Sequence, residues 1–139
     1  MITLTFDEVE NSEYFSDENR ESTEKFIKNS FSAFMLNDYS LHLGLGTIYT
    51  NHNLLFERVI VDDLYEPLAM IIYSIIPGIA ISILCSAMYG DCNIAKVLPK
   101  IEEEVYSYGL PVYYYADSME ERDYVLSNAK NIRVAFIKR

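Results

Sequence analysis

The chain has no tryptophan, 2 cysteines and 4 prolines among its 139 residues, and no charged residue at all from Pro67 to Gly90. Bases are scarce too: 11 Lys and Arg stand against 21 Asp and Glu, a formal net charge of −10. Each shortage excludes something. Two cysteines make no disulfide framework, so the fold must rest on its apolar core. Cys85 lies inside the uncharged run and reads as a small buried hydrophobe, while Cys92 lies in the loop after it. Their spacing does not indicate a disulfide. His42 and His52 stand alone, without the company a zinc site needs, so no metal is expected. With so few bases, direct binding to a nucleic-acid backbone is not expected, because that requires clustered Lys and Arg. The acidity leaves two uses open. One is ordinary solubility. The other is an acidic face that imitates nucleic acid, and the acids are densest between Asp7 and Glu24, where Arg20 is the only base.

The uncharged run is long enough to cross a bilayer as a helix, for which roughly 20 apolar residues suffice. Its details point to strands instead. Pro77-Gly78 at its centre is a turn signal, and its Ile and Tyr content favours strands. Short apolar runs bounded by turn residues suit strands covered on both faces. The flanks are Asp62, Asp63 and Glu66 on one side and Asp91 on the other, not the Lys/Arg cluster that orients a span. A core hairpin over 67–74 and 79–88 is expected, with no membrane span. Met1 leads straight into an alternating strand rather than a secretory leader, so an intracellular, reducing compartment is expected.

The rest of the chain reads as one domain over 1–139. A strand is expected over 1–6, then a polar, turn-rich stretch over 7–19. A helix follows over 22–35, with Phe26, Ile27, Ser30, Phe31, Phe34 and Met35 on one face. Residues 41–50 alternate around Gly44 and Gly46 as a twisted strand, and 54–61 form another. A helical pattern covers 94–108, with Gly109 after it. Pro99 fits best in a first turn, which would move the regular start toward Leu98. A strand over 110–116 precedes a helix opened by Ser118, with Glu121 completing a capping box. A strand over 132–137 closes the chain. This order predicts an α/β (α+β) fold: a mixed, mostly antiparallel central sheet with helices on both faces.

That order resembles the GCN5-related N-acetyltransferase family. The phrase VDDLYEPLAMIIYS is similar to the family's acidic turn and following strand, and Pro77-Gly78 to its next hairpin. The stretch LPVYYYADSMEERDYVLSNAKNIRVAF resembles its later strand, short helix and closing strand. The family holds acetyl-CoA with a Gln/Arg-x-x-Gly-x-Gly/Ala loop, whose backbone N–H groups and following helix N-terminus cradle the pyrophosphate. The corresponding stretch here is Ala87-Met88-Tyr89-Gly90-Asp91-Cys92. Gly90 matches. Ala87 and Cys92 do not, and Asp91 sets a negative charge where phosphates would lie, with Lys96 the nearby base. The resemblance implies Gly90, Cys92 and Asn93 as the cofactor-binding residues only if acetyl-CoA binds at all. The chain is also similar in length and organisation to small internal virion proteins of T7-like phages. That implies a phage-encoded protein in the host cytoplasm or the virion.

For acyl transfer, Tyr113, Tyr114, Tyr115 or Tyr124 could serve as acid and Glu57 or Asp62 as base. A phenol at a sheet rim more commonly packs and makes one hydrogen bond, so no residue is assigned a catalytic role. Cys85 has no histidine near it in sequence and is not expected to act as a nucleophile. Glu102-Glu103-Glu104 reads as a solvated helix face. Tyrosines interleaved with acids make good protein-binding surfaces. Three functions are left: a non-catalytic acetyltransferase-like protein without cofactor that binds a protein partner, an active acetyl-CoA-dependent N-acetyltransferase, and an acidic nucleic-acid mimic. The first is preferred, as a virion component or an inhibitor of a host defence system.

Overall fold

A computed structural model describes residues 1–37 and 54–138. The strand expected over 41–50, which contains His42, and His52 after it lie outside the described residues. In chain order the elements are β1 (Ile2–Leu4), α1 (Phe6–Asn11), α2 (Asp17–Asn37), β2 (Leu54–Val61), β3 (Pro67–Ile76), β4 (Ala80–Met88), α3 (Ile94–Tyr106), β5 (Val112–Ala116), α4 (Met119–Asn128) and β6 (Ile132–Ile137). The six strands form one sheet in the order β1-β2-β3-β4-β5-β6. The pairings β1–β2, β2–β3 and β3–β4 are antiparallel, while β4–β5 and β5–β6 are parallel. Connection explains the change. A tight turn joins β3 to β4, whereas α3 and α4 each carry the chain back for a parallel return. α1 and α2 build one core with Val59, Met70, Ile72 and Leu84. α3 and α4 build the other with Ile71, Tyr73, Ile83 and Tyr114. The protein is α+β, with a mixed sheet and helices on both faces, as its order of elements predicts.

The uncharged run is the β3–β4 hairpin at the centre of this sheet. Every residue of β3 is buried, as are the first seven of β4. Helices cover both faces there, so a charge on either side would be desolvated. At the turn the Ile79 N–H donates to the Ile76 carbonyl at 2.9 Å, and Gly78 has φ +76°. Pro at the second turn position and a positive-φ glycine at the third are the type II requirement. β3 runs on to Ile76 rather than stopping at Ser74. Among the described residues no helix is long and apolar enough to cross a membrane.

Four local expectations change. The stretch over 7–19 is not all turn: Thr5 opens α1 with a complete capping box, its hydroxyl taking the Glu8 N–H while the Glu8 carboxylate takes the Thr5 N–H. α2 begins at Asp17, with the Ser16 hydroxyl accepting from the Asn19 N–H at 3.1 Å. Its buried face is Thr23, Ile27, Ser30 and Phe34, and Met35 is exposed. α3 begins at Ile94 with Asn93 as its cap, so Pro99 sits inside the helix, not in its first turn. An interior proline leaves the carbonyl four residues back, on Ala95, without its helical donor. At α4 the Ser118 hydroxyl caps the Glu121 N–H at 3.1 Å. The Glu121 carboxylate does not close the box: it takes the Asp117 N–H at 2.6 Å and the Tyr114 hydroxyl at 3.0 Å.

Arg20 joins α1 to α2. Its guanidinium donates to the carbonyls of Val9 at 2.6 Å, Glu10 at 2.8 Å and Ser12 at 2.5 Å. These lie at the C-terminal end of α1, where carbonyls lack helical donors and a cation is favoured. The one base in the acidic segment is therefore held by three carbonyls.

Candidate functional site

The site follows from how β4 ends. β4 pairs with β5 only through Ile81, Ser82 and Ile83, opposite Val112, Tyr113 and Tyr114. The register against β3 slips between Ile72 and Tyr73, leaving Leu84 as an extra residue. That bulge turns both Leu84 and Cys85 toward the α1–α2 core. Beyond it β4 keeps its pairing with β3 and leaves β5 behind. The strand then delivers the loop Tyr89–Asn93 to the N-terminus of α3.

The loop is built for a tight reversal. The Cys92 N–H donates to the Tyr89 carbonyl at 3.1 Å, and Gly90 between them has φ +58°, a conformation that costs glycine little. Tyr89 is anchored by its N–H to the Leu68 carbonyl at 2.9 Å and by edge-on contact with Phe26, ring centroids 5.2 Å apart. Asn93 then caps α3, its side chain accepting the Lys96 N–H at 3.3 Å.

A cavity of about 520 Å³ lies in front of this helix end. Its walls come from three places: the first turns of α2 with Glu18, Asn19 and Ser22, the β2–β3 loop with Asp62 and Glu66, and the loop residues Tyr89 to Asn93 with Lys96. Asn19 ties two of these walls together by donating to the Leu64 carbonyl at 3.1 Å. Asp62 is locked in place, one carboxylate oxygen accepting the N–H groups of Leu64 and Glu66 at 2.9 Å each.

Gly90, Cys92 and Asn93 are therefore brought together at a helix N-terminus beside a cavity. What surrounds them is the wrong charge for a pyrophosphate. Among the described residues the lining carries the carboxylates of Glu18, Asp62, Glu66 and Asp91 and one base, Lys96. In water two like charges about 4 Å apart repel by about 1 kcal/mol, and more where solvent is partly excluded. Among the described residues no three His, Cys, Asp or Glu side chains converge to hold a neutralising metal ion. Burial pushes the Cys92 thiol above its usual range, although Lys96 and a hydrogen bond with the Asn93 backbone pull the other way.

Compared with known proteins, the chain matches no family model, no curated protein and no solved structure.

The other sequence candidates are scattered. Tyr114 is fully buried, and burial together with the nearby Glu121 carboxylate pushes its hydroxyl far above the usual phenol range. Tyr113 and Tyr115 point to the opposite face of β5. Burial raises Tyr115 as well, with Tyr113 adding to it. Tyr124 lies on α4, in a separate cavity of about 400 Å³ between α3 and α4. Glu57 lies beside Ile27 and Met70 under α2, where burial raises its carboxyl against the pull of Arg58. Of the six candidate acids and bases, Asp62 alone lines the cavity at α3.

The Glu102–Glu104 run is a correction. Only Glu103 faces solvent, beside Lys100 at 3.1 Å. Glu102 is buried and accepts the N–H groups of Lys130 and Asn131. Glu104 takes the Arg58 guanidinium and the Tyr73 hydroxyl, each at 3.0 Å, and Tyr73 meets the Tyr108 hydroxyl at 3.2 Å. Arg58 also lies over the rings of Phe56 and Tyr73. This cluster pins the C-terminal end of α3 to the sheet. Burial, then Tyr108 and Glu104, push the Tyr73 hydroxyl well above the phenol range. No sequence pattern marks it, because Arg58, Tyr73 and Glu104 are far apart along the chain.

Proposed function

We propose that this protein is a non-catalytic, acetyltransferase-like scaffold that acts by binding another protein. One observation carries the reading. The helix N-terminus that would hold a pyrophosphate opens into a cavity with four carboxylates and one lysine. Two further facts support it: five of the six candidate acids and bases lie away from that cavity, and burial raises the pKa of the nearby Cys92 thiol. The reading carries with it a phage-encoded protein in the host cytoplasm or the virion, as a virion component or an inhibitor of a host defence system. Acetyl-CoA titration by calorimetry tests it. No heat is expected at micromolar protein, and saturable micromolar binding would overturn the reading in favour of an active N-acetyltransferase. The genes beside this one separate the two roles: tail and portal genes favour the virion, early genes an inhibitor.

One observation favours a second reading, an acidic mimic of nucleic acid. Arg20 is directed at the carbonyls of α1, and among the described residues the exposed carboxylates of Asp7, Glu10, Glu13, Asp17 and Glu21 form no ion pair. A mimic would compete with DNA for a host protein in a salt-sensitive way. Salt-insensitive binding counts against it.

A further inference from the structure

We propose that the outer edge of β6 receives an extended acidic segment of another protein as an added strand. The inference rests on the protein-binding reading and gives it a partner class. Among the described residues no strand lies beyond β6. The Lys138 N–H donates to the Ala116 carbonyl at 2.8 Å, toward β5. Strand alternation then turns the N–H and C=O groups of Ala135 and Ile137 outward, where an incoming backbone can meet them.

The side chains beside this edge suit a partner. Tyr113 stands opposite Val134 and Tyr115 opposite Phe136, so the four share the face away from α3 and α4. The core under α1 and α2 reaches Tyr115 of β5 and, among the described residues, leaves that face of β6 open: Val134 is 38% exposed and Phe136 45%. The Phe136 ring lies 5.2 Å from that of Tyr115 and 6.4 Å from that of Tyr113. Prolines, bulges and charged side chains commonly keep an edge from pairing; from Val134 to Ile137 this edge carries neither proline nor charge.

Charge selects the occupant. The last ten residues, Lys130 to Arg139, hold four bases and no acid in a chain of net charge −10. Lys138 pairs with Asp117 at 2.8 Å. Lys130 and Arg133 are exposed and make no ion pair among the described residues. A second copy paired through β6 would bring these bases against their own kind. An acidic strand with apolar residues at alternate positions would meet the bases with its carboxylates and the aromatic strip with its side chains.

The test uses the full chain, labelled with ¹⁵N, and two capped peptides of about eight residues, a usual strand length with flanks. One alternates valine with glutamate, the other valine with lysine. The expected result is that the acidic peptide alone shifts the amides of β6 and slows exchange at Ala135 and Ile137. Arg133→Glu, an exposed substitution, should weaken that binding about fivefold or more, the loss of one rim charge pair and its reversal. Ala135→Pro should abolish it with the far-ultraviolet spectrum unchanged, and if that variant unfolds, Arg133→Glu still decides. Equal binding of both peptides, shifts confined to other elements, or exchange protection at Ala135 and Ile137 in a dimer without peptide would each overturn the proposal. Acetyl-CoA added to the same sample reports separately at Gly90 to Asn93. A response there defeats the protein-binding reading, whereas silence of β6 toward the acidic peptide defeats the edge proposal alone.

Discussion

Replacing Glu102 by alanine should destabilise this protein more than any change at its acidic neighbour Glu103. Glu102 is buried at 7% exposure and accepts the Lys130 N–H with both oxygens at 2.9 Å and the Asn131 N–H at 2.6 Å. Those are two donors, both just before β6, held by a residue of α3. A hydrogen bond to a charged group contributes about 1.5–3 kcal/mol, so two contribute about 3–6 kcal/mol. Lys130 and Asn131 also line the open cavity between α3 and α4, so water can reach the freed N–H groups. That moves the expectation to the low end, about 3 kcal/mol. Glu102→Gln keeps one acceptor oxygen and should lose about 1–2 kcal/mol. Glu103→Ala should stay within about 0.5 kcal/mol, as its pairing with Lys100 is exposed. Urea unfolding measures all three, and the slope must stay constant for the midpoints to report stability. If Glu102→Ala falls within about 0.5 kcal/mol of the parent, the buried carboxylate does not tie α3 to β6 and the reasoning fails.

Glu57→Gln has a pH-dependent sign. Burial raises the Glu57 carboxyl above its unfolded value, so the folded state holds the proton more tightly. The stability gained from that proton is present at low pH and lost as pH rises through the folded pKa. The glutamine variant should therefore be more stable than the parent at pH 7, with the gap closing below about pH 4. Urea midpoints over that range would show a constant gap if the argument is wrong. Cys92 should react with iodoacetamide with a midpoint above the free-thiol value of about 8.5, and a midpoint below it would contradict the raised pKa. Arg20→Met should cost about 2 kcal/mol and speed hydrogen exchange throughout α1, because three carbonyls lose their donor. Unchanged exchange in α1 would show that another group holds its C-terminus.

The central hairpin was legible because two signals agreed there: a stretch without charge, and Pro77-Gly78 at its middle. Helix α4 was legible from Ser118, and the mixed character of the sheet from a tight turn and two helical crossovers. Helix α1 escaped because a single buried residue, Val9, anchors it, so hydrophobic periodicity had nothing to count. Its signal was the spacing of Thr5 and Glu8. Pro99 misled because the packing of Val97, Leu98, Ile101 and Val105 outweighs a missing helical donor. Of the cavity at α3, sequence showed Gly90, Asp91, Cys92 and Asn93, which lie on one loop. It could not show Glu18, Asp62 and Glu66 around them, because α2 and the β2–β3 loop bring these in from distant parts of the chain. Glu102 and Glu104 looked solvated for the same reason: their partners lie at Lys130 and Arg58.

The three-residue ladder between β4 and β5 divides the sheet by order of assembly. β3 and β4 close through a three-residue turn and share eight register pairs. Joining β5 to β4 requires the whole of α3 to be threaded first, for three pairs in return. Local closure is fast and crossover pairing is slow. The hairpin with α2 packed on it should therefore form the nucleus, and β5, α4 and β6 should dock as a later unit. Ile72→Val should then slow folding, while Ile132→Val should mainly speed unfolding. The reverse pattern in stopped-flow kinetics would place the nucleus in the parallel half. On this order the basic edge of β6 is the last part of the sheet to be made and the first to be released.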